Sequence, residues 1–112
     1  MPLYHTEDQA MLKDTAAPFI AEAAPVKHLR ELRDRNDETG FARDVWAQFA
    51  EMGFTGILVP ESHGGLGLGQ MEAGIVLEEI GRNLTPSPFL TTSVAAAATL
   101  KAAGGAQADQ WL

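Results

Sequence analysis

The chain has 112 residues, with 8 basic and 15 acidic side chains, a formal net charge of -7 and no cysteine. That length suits one domain with a modest core. Lack of cysteine excludes disulfides and thiolate metal sites, and an acidic surface repels phosphate backbones, which argues against a nucleic-acid partner. The start Met1-Pro2-Leu3-Tyr4-His5-Thr6-Glu7-Asp8 has neither the basic region nor the apolar block of a signal peptide. The longest weakly polar run, Val94 to Leu100, is too short to span a bilayer. The expected setting is cytoplasmic, with no membrane span.

Thr6-Glu7-Asp8-Gln9 reads as a capping box opening a first helix, with acidic residues favourably placed at its positive end. Leu12, Ala16, Phe19 and Ala23 mark its buried stripe. Pro18 inside that pattern predicts a kink or break near Ala16 and Ala17. Pro25 opens a short second helix, Val26 to about Arg35, whose alternating charges describe a solvated face. After the polar turn Asn36 to Gly40, the residues Phe41, Val45, Trp46, Phe49 and Met52 form the clearest amphipathic stripe, and Gly53 is the expected left-handed stop. Phe54 to Val59 is short and contains β-branched residues, so it is expected to be extended. A fourth helix should run from Gln70 to about Arg82 with Met71, Ile75, Val76 and Ile80 inward and Gly74 allowing close helix approach. Asn83 to Pro88 breaks it. Ser87 can cap a helix with Pro88 at its first position, running to about Ala103. Gly104-Gly105 ends that helix, and Gln107 to Leu112 looks like the start of another. Barely two turns ending in Trp111-Leu112 have little stability alone, which suggests a piece of a longer protein. The predicted fold is all-α: a compact bundle of about five to six helices over residues 1–112, with a short extended glycine-rich connection.

That connection, Pro60-Glu61-Ser62-His63-Gly64-Gly65-Leu66-Gly67-Leu68-Gly69, has four glycines within six residues and invites comparison with phosphate cradles. It fails both common patterns. A Walker loop needs Gly-Lys-Ser/Thr where Gly69-Gln70-Met71 stands. A Rossmann turn needs a differently placed third glycine and a second strand after the helix. His5, His28 and His63 show no metal-ligand spacing, and Ser62 is not in a nucleophile elbow. Glu78 and Glu79 lie about 100° apart around a helix, unsuited to act as an acid/base pair on one substrate, and Arg82 is in reach of either. No catalytic residue and no metal site is assigned. Thr91, Thr92, Ala95, Ala96 and Thr99 present small side chains along one sector, leaving room for a neighbouring helix, the simpler reading, or for a ligand.

The order of these features resembles one family. Ala50 to Gly67, with its helix ending in Gly53, its apolar run and Pro60-Glu61-Ser62-His63-Gly64-Gly65-Leu66-Gly67, followed by Glu78-Glu79-Ile80-Gly81-Arg82, is similar to the N-terminal helical domain of acyl-CoA dehydrogenases. Thr6 to Gln9 and Gln107 to Leu112 resemble that domain's first helix and the start of its sixth. The resemblance implies a larger enzyme with a middle β-domain and a C-terminal helical domain. It implies FAD as cofactor and oxidation of an acyl-CoA thioester between its α- and β-carbons. A flavoprotein electron acceptor and a homo- or hetero-oligomeric enzyme are further implied. The catalytic carboxylate and most FAD contacts belong to parts of the family outside the residues matched here, so the isolated chain is expected to be inactive and its cofactor-binding residues are unknown. Carried over by position, the helix from Pro88 walls the acyl pocket, with Ser87, Pro88, Thr91, Thr92 and Ala95 as lining residues. Their small side chains suit a bulky or branched acyl group. Pro86-Ser87-Pro88-Phe89 is similar to divergent bacterial members, some of which act on steroid or aromatic acyl-CoAs and some of which are heteromers. The alternatives are a stand-alone helical interaction domain, or an acyl-CoA oxidase or flavin monooxygenase built on the same scaffold.

Overall fold

A computed structural model describes residues 4–112; the reading of Met1 to Leu3 lies outside them. Helix α1, Glu7–Ala23, opens with the predicted capping box, Thr6 accepting from the Gln9 amide and Gln9 accepting from the Thr6 amide. Pro18 does not break it. Ala16 and Ile20 on either side are fully buried while Pro18 faces solvent, so packing of one face holds the helix across the missing hydrogen bond. Leu12 and Phe19 of the expected stripe pack at the edge of the core.

Helix α2, Val26–Asp34, buries only Leu32; α3, Arg43–Glu51, buries Val45 and Phe49 and stops where Gly53 takes a φ of 84°. Phe49 sits among three rings, with centroids 5.7 Å from Phe19, 6.0 Å from Trp46 and 5.9 Å from Phe54. The next segment corrects the expected extended run. Phe54–Gly56 is a 3-10 turn, Ile57 keeps helical dihedrals, and no strand occurs among the described residues. Phe54, Ile57 and Leu58 are all buried. Their spacing of i, i+3 and i+4 is helical, a signal stronger than β-branching.

Helix α4, Gln70–Arg82, makes the most extensive interhelical contact, against α1. Ala73, Ile75, Val76 and Glu79 are buried, whereas Met71 is 37% exposed and Gly74 faces open space; both of those expectations are corrected. The two N-termini of α1 and α4 are stitched by one carboxylate. Glu72 accepts from Gln9 Nε2 at 3.3 Å and from the Gly69 amide at 3.1 Å. Burial works to raise the Glu72 pKa, but hydrogen bonds from its own amide, Gln9 and Gly69 outweigh it and hold the group below its ordinary value. A lowered folded-state pKa means the contribution is full above the ordinary Glu range and fades as pH falls through the folded value. Glu72→Gln is therefore expected to lose about 1 kcal/mol at neutral pH. In urea titrations the gap from the parent chain should narrow as pH falls below the ordinary Glu range. A gap independent of pH would rule out the charged cap.

Beyond α4, Thr85 Oγ1 donates to Ala24 O at 2.7 Å and fastens the loop to the end of α1. The last long helix begins at Phe89, with Pro88 as its N-cap and Ser87 Oγ 3.4 Å from the Phe89 amide. That is one residue later than expected. Its first half, Phe89–Ala96, is π-helical and runs straight into α5, Ala97–Ala103. Helix α6, Ala106–Trp111, closes the described chain.

Candidate functional site

Two features remain after the core is assigned: the glycine loop and an open groove along the π-helix and α5. The loop binds itself. The amides of His63, Gly64, Gly65, Leu66, Gly67 and Leu68 donate to the carbonyls of Pro60, Glu61, Pro60, Gly56, Val59 and Ile57, and the Gly69 amide donates to Glu72. No amide from His63 to Gly69 is left to hold a phosphate. A Cβ on Gly65 would stand 2.2 Å from the Val59 carbonyl oxygen. Close backbone approach at Gly65 and left-handed backbone at Gly64 and Gly67 account for glycine at these three positions.

Ser62 Oγ, His63 and Asp109 form a short chain, with contacts of 3.1 Å at Nδ1 and 3.2 Å at Nε2. Its order of residue types suggests a hydrolytic triad, but the geometry does not. The carboxylate occupies Nε2, where a triad places the nucleophile, and the amides from His63 to Gly69 are all engaged. Glu79 is buried and Glu78 exposed, and Arg82 reaches both at 3.3 Å. One exposed and one packed carboxylate within reach of Arg82 is the arrangement the sequence indicated. Among the described residues, no group of three or more His, Asp or Glu side chains is placed to hold a metal ion.

The groove has a volume of about 600 Å³ and is lined by Thr91, Ala95, Ala96, Thr99, Leu100 and Trp111. Thr91 and Thr99 donate their hydroxyls to the carbonyls of Pro88 and Ala95, at 3.2 and 2.7 Å. Those hydroxyls are thus committed to the helix itself, and the groove offers mainly hydrocarbon. A second cavity of about 320 Å³ adjoins it, sharing Ala96, Leu100 and Trp111 and adding Thr92 and Trp46. The five residues carried over by position are therefore divided. Thr91 and Ala95 share the groove, Thr92 lines its neighbour, and Ser87 and Pro88 line neither. Leu100 and Trp111 were missed. For Trp111 the signal was an apolar aromatic in a helix too short to bury it, and it is 73% exposed.

The described residues thus form an all-helical bundle with an apolar, small-residue groove on its surface and a glycine loop bound to its own backbone. The chain belongs to the family described as acyl-CoA dehydrogenase, N-terminal domain, whose model matches residues 6–112. It is 35% identical over 98 residues to the acyl-CoA dehydrogenase IpdE2 of Mycobacterium tuberculosis, which covers 87% of this chain and 30% of that protein. It is 39% identical over 77 residues to the mitochondrial isovaleryl-CoA dehydrogenase of Pongo abelii, covering 69% and 18%. The crystal structure of the ChsE4-ChsE5 complex from Mycobacterium tuberculosis superposes with a TM-score of 0.75 at 29% identity, over 95% of this chain and 28% of that one. The chain thus spans under a third of the length of these relatives.

Proposed function

We propose that residues 1–112 act as one helical domain that walls the acyl pocket of an FAD-dependent acyl-CoA dehydrogenase. The observation that carries the reading is the hydrocarbon groove on the helix carrying Thr91 and Ala95, in a chain of this family. The groove's role is to bind and orient the acyl chain and keep water from it, with small side chains leaving space for a bulky or branched acyl group. FAD, when bound, would take up the hydride from the β-carbon. The glycine loop of this chain does not fit a flavin diphosphate, because its amides are already engaged, so no step is assigned to these residues through the cofactor. In this reading the catalytic base lies outside the residues described, and the domain alone does not turn over substrate. Family membership supports an acyl-CoA substrate and a flavoprotein electron acceptor. The likeness to a two-component complex supports assembly into a homo- or hetero-oligomer. No helix among the described residues is long and apolar enough to cross a membrane, which is compatible with a cytoplasmic enzyme.

The test is Ala95→Phe in the full-length dehydrogenase. Filling the groove should cut kcat/KM for bulky acyl-CoAs by about ten-fold or more while sparing short ones, since pocket methylenes are worth ~10-fold or more in discrimination. Unchanged acyl preference across the series would remove the groove from the pocket wall.

A further inference from the structure

Trp111 closes one side of the groove from α6, a helix of only 6 residues without a side-chain cap. Such a helix does not hold its place by its own hydrogen bonds. It packs mainly on α5, its neighbour in the chain, and seats Ala108, which is 5% exposed. Among the described residues, one side-chain hydrogen bond joins α6 to a distant element, from His63 Nε2 to Asp109 Oδ1 at 3.2 Å, across 46 residues of sequence. A carboxylate only accepts, so Nε2 donates, and Nδ1 pairs with Ser62 Oγ at 3.1 Å. Both ring nitrogens are thereby fixed. Asp109 and Trp111 are two residues apart, about 200° around the helix. Holding Asp109 against the glycine loop turns Trp111 to the opposite side, where the groove lies.

We propose that His63 and Asp109 form a positioning pair that sets Trp111 across the groove, so that the glycine loop fixes one edge of the pocket wall. Neither residue lines the groove; both act through Trp111. The positional claim stands on the contacts above, and only its consequence for acyl choice rests on the wall reading.

The experiment uses the 112-residue chain labelled with 5-fluorotryptophan, in which Trp46 and Trp111 give separate fluorine resonances. His63→Leu and Asp109→Ala should each move the Trp111 resonance further than that of Trp46, which borders the same second cavity. Each should also speed amide exchange in α6 by up to about five-fold, as for an exposed hydrogen bond to a carboxylate, without changing exchange in α4. His63→Gln, which keeps a donor, should restore part of both signals. Asp109 is 59% exposed at its side chain but also sits in the first turn of α6, where its charge favours the helix on its own, so His63→Leu and Asp109→Ala must agree for the pair to stand. An unmoved Trp111 resonance with unchanged α6 exchange in Asp109→Ala overturns the proposal. In the full-length enzyme, His63→Leu should shift acyl preference with Ala95→Phe as reference. A displaced Trp111 with unaltered preference would sustain the positioning pair and reject the wall reading.

Discussion

Gly65→Ala is expected to destabilise the chain by about 3 kcal/mol or more, one of the costliest single-methyl additions the molecule could receive. The added Cβ would meet the Val59 oxygen at 2.2 Å, its Cβ at 2.4 Å and its carbonyl carbon at 2.6 Å. Two of these are backbone atoms, and the local backbone is held by its own hydrogen bonds, Gly65 to Pro60 and Gly67 to Val59. Neither side can retreat without opening the loop. Gly64 provides the control. Its φ is 83°, yet a Cβ there meets nothing within 4 Å, so Gly64→Ala carries only the left-handed strain of about 1–2 kcal/mol. Urea denaturation of the two variants separates close approach from dihedral strain. Equal losses would mean that the loop is glycine-rich for conformational freedom alone.

This contrast shows what the sequence did and did not disclose. The motif's spacing excluded nucleotide loops, and its flanks pointed to a flavoenzyme family. Which glycine is indispensable depends on where Val59 lies, and that is a tertiary fact. Helix ends were legible because their chemistry is local. The Thr6–Gln9 box and the Gly53 stop need only neighbouring residues. Helix continues on both sides of Pro18, as expected, and the break does not occur because the local penalty is offset by the distant surfaces that bury Ala16 and Ile20. The stretch from Phe54 was misjudged because β-branching was weighed above the i, i+3, i+4 spacing that its buried residues keep. Thr91 and Ala95 line the groove, and Thr99 continues their four-residue spacing. Leu100 and Trp111 come together only when α6 folds back beside α5. Trp111 stands at the groove edge and is still 73% exposed there.

Phe49→Ala should cost about 3–5 kcal/mol, as expected for truncating a fully buried aromatic ring. Phe49 is 0% exposed. It joins α1, α3 and the 3-10 corner through ring contacts with Phe19, Trp46 and Phe54, two of them edge-to-face at 5.7 and 5.9 Å. Removing the ring leaves a cavity that three separate elements must collapse to fill, so relaxation recovers little. Against a typical domain stability of about 5–15 kcal/mol, a loss of that size is a large share. The damage should also have a direction. Phe54 anchors the corner whose carbonyls at Gly56, Ile57 and Val59 receive the glycine loop, and Trp46 borders the cavity beside the groove. Hydrogen exchange in Phe49→Ala should therefore rise first at the Leu66, Gly67 and Leu68 amides, ahead of the α1–α4 pair. Uniform acceleration across all helices would instead show that the aromatic cluster stabilises the bundle as a whole and gives the loop no separate support.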